Sequence, residues 1–156
     1  MNVELKNCTD AIYEVIKEWE EKLISLSEET ISQRRNKQNR TIKQILGHLI
    51  DSASNNHQRI IRLQYNDCLE FPDYQQHNDL WIALQDYQHA DWNNLIQLWK
   101  YYNLHLIRII NVVDESKLAN YWTNFEGEKT TLEMMIMGYL WHLNLHMNEI
   151  NELINA

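Results

Sequence analysis

The stretch Thr41–Gln64, TIKQILGHLIDSASNNHQRIIRLQ, marks a helix start in its first four residues. In Thr41-Ile42-Lys43-Gln44 the threonine hydroxyl can accept an orphan backbone N–H of the first turn. The glutamine side chain can reach back, which completes a capping box. Behind that start Ile42, Ile45, Leu46, Leu49, Ile50, Ala53, Ile60 and Ile61 supply an apolar side. A long helix with one apolar side needs partner elements to bury it.

Outward from this helix, three more segments keep the helical period. Asp10–Leu26 places Ile12, Val15, Ile16, Trp19, Leu23 and Leu26 on one face. Asp79–Val113 does so with Trp92, Leu95, Ile96, Trp99, Tyr102, Leu106, Ile109 and Ile110; it is expected to break near His89–Asp91, where Asp91 can cap a second piece. The last helix opens at Thr130-Thr131-Leu132-Glu133, read as a second capping box, and runs through Leu132, Met135, Ile136, Tyr139, Leu143, Met147, Ile150 and Ile154.

The intervening stretches are less regular. Ser27–Arg40 is polar and reads as a frayed helix end plus a loop. Asn66–Asn78 is aperiodic and holds the only proline, Pro72; it is longer than a tight helix–helix turn and suits a chain crossing the end of a bundle. Asp114–Lys129 is a connection, in which Tyr121–Phe125 followed by Glu126-Gly127 reads as a small hairpin. The expected fold class is all-α: a four-helix bundle with a long crossover between the second and third helices, residues 1–156 forming a single domain.

Composition supports that class. With 156 residues the chain can bury a sizeable core, and 3 Gly and 1 Pro are too few for the turns of an all-β barrel or sandwich. A formal charge of −8 argues against nucleic acid and against an anionic membrane surface as partners. Met1–Asp10 has neither the basic nor the apolar region of a signal peptide, and no apolar run approaches the length of a membrane span. Cys8 and Cys68 stand far apart with no CxxC spacing, as expected of free thiols in a reducing, cytoplasmic setting.

Seven histidines are present. His142 and His146 are four apart on the last helix, so their imidazoles lie on one face, close enough to share one metal ion. An i,i+4 pair alone is weak evidence, but Tyr139, Leu143, Met147 and Ile150 around it point part of that face inward. Two buried imidazoles need partners, which a metal supplies. A third ligand has to come from another helix. His48, within Ile45-Leu46-Gly47-His48-Leu49-Ile50, is the best placed and His105, between Leu104 and Leu106, competes with it. His57, in a polar Asn-Asn-His-Gln setting, reads as solvent-facing; His77 and His89 fall in connections with no specific role. Three neutral imidazoles leave a divalent ion its charge and an open position, suited to activating water or a thiol.

The run Arg40–Arg59 with its Gly47-His48-Leu49-Ile50-Asp51-Ser52-Ala53 core, Trp99–Leu106, and Gly138-Tyr139-Leu140-Trp141-His142-Leu143-Asn144-Leu145-His146 resemble the second, third and closing helices of the DinB-like (DinB/YfiT) superfamily. That resemblance implies up-down-down-up helix order and a three-histidine site made here by His48, His142 and His146. It also implies a homodimer and, in members of known activity, transfer chemistry that uses a low-molecular-weight thiol. Leu145 stands where many relatives carry a further histidine, and Gly138 where an acidic residue often precedes the tyrosine.

Around the proposed ligands, Asp51, Ser52 and Asn55 lie three, four and seven residues past His48 and are candidates to orient it or a substrate, although Asp51 reads equally well as a solvated carboxylate. Glu149, three past His146, reads as a surface carboxylate, with a fourth ligand or a general base as the alternatives. Arg59 suits an acidic neighbour or an anionic substrate. Trp99 and Trp141 read as core, and Gly138 as room for a ligand or for close helix packing. The expected function is a metal-dependent enzyme, a thiol S-transferase or hydrolase acting on a small molecule with zinc, nickel or manganese. The alternative is a non-catalytic metal- or small-molecule-binding helical dimer.

Overall fold

The capping box at Thr41 forms in full: its hydroxyl accepts the Gln44 N–H and the Gln44 side chain accepts the Thr41 N–H. The computed structural model describes residues 2–69, 77–124 and 126–156. In chain order these make α1 (Val3–Ile24), α2 (Glu28–Gln33), α3 (Ile42–Arg62), β1 (Cys68–Leu69), α4 (Asn78–Leu84), α5 (Trp92–Asn111), β2 (Tyr121–Thr123), β3 (Lys129–Thr131) and α6 (Leu132–Ile154). The four long helices are the bundle, with α5 and α6 each packed on both α1 and α3.

Contacts at the helix ends set the directions. The Asn2 amide donates to Glu133, and Cys8 reaches the Ile136 carbonyl, so α1 and α6 start at the same end. Thr9 meets Asn111, and the Trp92 indole donates to the Leu23 carbonyl, so α1 and α5 run antiparallel. Thr41 bonds Gln88 just ahead of α5, and Asn120 beyond α5 donates to the Leu63 carbonyl, so α3 and α5 run parallel. The order is up-down-down-up. Parallel neighbours need a crossover, and the chain between α3 and α5 supplies it with β1, α4 and a 3-10 turn at Tyr87–His89. The expected Asn66–Asn78 connection lies partly outside the described residues, which omit 70–76 and so Pro72.

The core takes Leu5, Ile12, Leu23, Ile45, Leu46, Ile96, Trp99, Leu106, Ile136 and Leu143, each at most 5% exposed. Among the described residues, no helix is long and apolar enough to cross a membrane. Cys8 and Cys68 are free thiols, as expected.

Three boundaries differ from the sequence expectation. α1 begins at Val3 rather than Asp10 because the Asn2 side chain caps it and Leu5, Cys8 and Thr9 extend its buried face. Ser27–Arg40 is not simply frayed: Ser27 caps α2, which buries Ile31, and Arg34 then donates to the Leu153 and Ile154 carbonyls at the end of α6. The α6 cap is Thr131, accepting from the Met134 N–H; Thr130 is paired with Trp122 in the sheet, and Glu133 is turned to Asn2. The hairpin forms from β2 and β3, with Gly127 at φ +81° in its turn and Phe125 outside the described residues. β1 joins it as a parallel edge. Strands of two and three residues are too short for an alternating pattern to show.

Candidate metal centre

α3 carries His48 in its second turn, and α6 carries His142 and His146 one turn apart, so the antiparallel pairing of the two helices brings three imidazoles together. Nε2 of His142 lies 3.4 Å from Nε2 of His48 and 3.0 Å from Nε2 of His146. Nitrogens held at about 2.1 Å from a common ion lie roughly 3.0 Å apart at a right angle and roughly 3.4 Å apart at a tetrahedral one. The observed separations match that spacing. His48 is 5% exposed and His146 6%.

Burial, reinforced by the other imidazoles and by Arg40, pushes His48 down to about 3, and burial with His146 pushes His142 down to about 4. Both are therefore neutral at neutral pH. Nδ1 of His146 lies 2.9 Å from a Glu149 carboxylate oxygen, which can only accept, so this nitrogen carries the proton and Nε2 presents a lone pair. His142 Nε2 sits within reach of both other Nε2 atoms but has at most one proton to give. A lone pair in the triad is left without a protein donor. A cation satisfies all three nitrogens at once, so the donor set fits a divalent ion. Nδ1 of His48 is buried with no hydrogen-bond partner.

A cavity of about 270 Å³ opens beside His48 and His142. From α3 it is walled by Ser52, Asn55, Asn56 and Arg59, and from α6 by Met134, Gly138 and Tyr139. Ser52 Oγ lies 3.4 Å from His142 Nδ1. The Arg59 guanidinium stacks 3.8 Å above the Trp122 ring, and the Asn55 amide oxygen accepts from it at 2.6 and 2.8 Å. A Cβ on Gly138 would meet nothing within 4 Å, so this glycine opens the cavity and does not serve close packing.

Other expected residues take different places. Asp51 is buried, not solvated: it accepts from the Tyr87 hydroxyl at 2.7 Å and from Gln85 at 2.9 Å, and burial raises its pKa. Glu149 is half-buried and holds His146 in place, with Asn36 as its other neighbour. His105 does not join the triad; it stands on α5 against His57. His57 is half-buried, bonded to Tyr102, and so not fully solvent-facing as expected. His77 precedes α4 without a side-chain cap, and His89 pairs with Asp86. Trp99 is core, whereas Trp141 is 67% exposed.

Sequence reasoning missed Trp122, Tyr139 and Asn56 as cavity walls. Tyr139 carried a signal, since it stands three before His142 on the inward face, and its hydroxyl donates to the buried Asn103 at 2.6 Å. Trp122 carried none, because only the docking of the hairpin sets it over Arg59.

The family model for the DinB superfamily matches residues 11–150. No curated protein matches the chain. Among solved structures, YfiT from Bacillus subtilis, described as a probable metal-dependent hydrolase with an unusual four-helix bundle topology, superposes with a TM-score of 0.87 at 19% identity. The match covers 98% of this chain and 87% of that one. At that identity the likeness speaks for the fold.

Proposed function

The chain belongs to the DinB superfamily, and from that premise we propose that it is a metal-dependent enzyme, one domain over residues 1–156, acting on a small molecule. The observation that carries this reading is the triad of imidazoles, His48 and His146 buried and His142 half-buried, with converging Nε2 atoms. His48, His142 and His146 would hold one divalent ion, zinc, nickel or manganese by donor type. That ion supplies Lewis acidity, which brings a water or a low-molecular-weight thiol into its ionised form near neutral pH.

The remaining residues act around it. Glu149 holds the proton on Nδ1 of His146 and so keeps Nε2 turned to the centre. The cavity receives the substrate between the amides of Asn55 and Asn56 and the thioether of Met134, with Gly138 leaving the approach open. The reaction class is thiol transfer to an electrophile, or hydrolysis. Supporting a cytoplasmic homodimer are the exposed Cys68 thiol and the exposed apolar side chains of Met137, Trp141 and Leu145 on α6.

Elemental analysis of protein prepared without an affinity tag tests the reading. About one equivalent of metal is expected in the wild type and none in His48→Ala. Protein without metal, and without affinity for zinc, nickel or manganese after removal of chelator, would overturn it. With the metal loaded, loss of a supplied thiol in the presence of an electrophile separates transfer from hydrolysis. Light scattering reads the dimer as twice 18.9 kDa.

A further inference from the structure

α3 and α5 bring together a second histidine pair that the triad does not use. The rings of His57 and His105 have centroids 5.1 Å apart and planes at 81°. Within the triad the centroids are 4.4, 4.8 and 5.3 Å apart, with planes at 67° to 78°. The pair's centroid separation therefore falls within the range of the triad, and His57 meets the Tyr102 ring with the same edge-on tilt, 79° at 5.7 Å. An ion held by a ring nitrogen lies roughly 3.2 Å from the ring centre, so two rings on one tetrahedral ion have centres roughly 5 Å apart.

A second observation is independent of that spacing. Nδ1 of His57 lies 2.9 Å from the Tyr102 hydroxyl. With Nδ1 donating to the Tyr102 oxygen, the ring is fixed and Nε2 keeps its lone pair for a ligand, as is usual for metal-bound histidine. Burial and the neighbouring His105 hold the His57 pKa below its ordinary value, so the neutral, ligating form prevails at neutral pH. His105 is exposed, which gives an ion access, and the net charge of −8 favours cations. His57 follows His48 by nine residues, which is half a turn around α3 and about 13 Å along it. The pair and the triad thus cannot share one ion.

We propose that His57 and His105 form a second, solvent-facing site for a first-row divalent ion, with Tyr102 positioning the His57 ring and water filling the remaining coordination. Two imidazoles bind more weakly than three, and such a site favours copper(II) over zinc and nickel.

Zinc titration of the full chain, stripped of metal and followed by calorimetry, tests this. The wild type is expected to bind two equivalents, one tight and one weaker. His105→Ala removes the weaker class and spares the tight one; because His105 is exposed, this variant keeps its fold. His48→Ala removes the tight class and spares the weaker. Tyr102→Phe leaves both classes and weakens the second several-fold. A weaker class absent from the wild type, or one that survives both His57→Ala and His105→Ala, overturns the proposal. Loss of the tight class alone would instead overturn the triad reading and leave this one standing.

Discussion

A single hydrogen bond shows how one residue would prepare the proposed ligand His146. Glu149 reads in sequence as a surface carboxylate, yet its oxygen lies 2.9 Å from Nδ1 of His146. The bond selects a tautomer and aims Nε2 at the triad; without it the ring can rotate or move its proton. Glu149→Ala is expected to keep the helical circular dichroism and to weaken zinc affinity about 10- to 100-fold, read by competition with a chromophoric chelator. Unchanged affinity would show that packing alone holds His146. The same scale explains what spacing reached and what it missed. Four residues along one helix put His142 and His146 together without help from tertiary structure. The partnering of His105 with His57 instead of His48 depends on which face of α5 meets α3.

Among the elements, α3 depends on Gly47. A Cβ there would clash with the Tyr87 ring, which packs against the helix and delivers its hydroxyl to Asp51 one turn on. Helix propensity favours alanine over glycine by about 1 kcal/mol, but the clash requires the buried Tyr87 to move and strips Asp51 of a donor. Gly47→Ala is therefore expected to destabilise by about 2–4 kcal/mol, read from the urea midpoint, with Gly47→Ala/Tyr87→Leu recovering part of the loss. A variant as stable as the wild type would mean that the ring shifts freely. The two expected capping boxes met different fates at this scale. Thr41 is capped as read, since its hydroxyl accepts from Gln44 while it donates to Gln88. Thr130 was claimed by Trp122 in the hairpin, which moved the cap to Thr131. A cap is a local device and legible until a neighbour in space takes its residue.

Across the whole molecule, the triad links stability to pH. In the metal-free protein His48 titrates at about 3 and His142 at about 4, both below the ordinary 6.5. Below that value the unfolded chain binds protons that the folded chain refuses, so stability falls as pH drops from 6.5 toward these lowered values and is flat above. Asp51 acts with the opposite sign, its raised pKa favouring the fold as pH falls. Two histidines outweigh it in this window, because their shifts span it. The urea midpoint of metal-free protein is expected to drop between pH 7 and pH 5, and His48→Leu/His142→Leu to flatten that slope. A slope unchanged in the double variant would place its source elsewhere.

Amphipathic period, helix caps and the shortage of Gly and Pro determined four helices, and with them the class of fold, because each of these signals acts within a few residues of chain. The resemblance carried by Gly47–Ala53 and the late His142/His146 pair added helix order and the third proposed ligand, His48. Only tertiary structure decided that His48 meets that pair, that Trp122 roofs Arg59, that Asp51 is buried beneath Tyr87 and that His57 faces His105. Each of those contacts joins residues more than thirty apart in the chain. Which faces pack together is set by the summed fit of all four helices, and no short stretch of sequence encodes that fit alone.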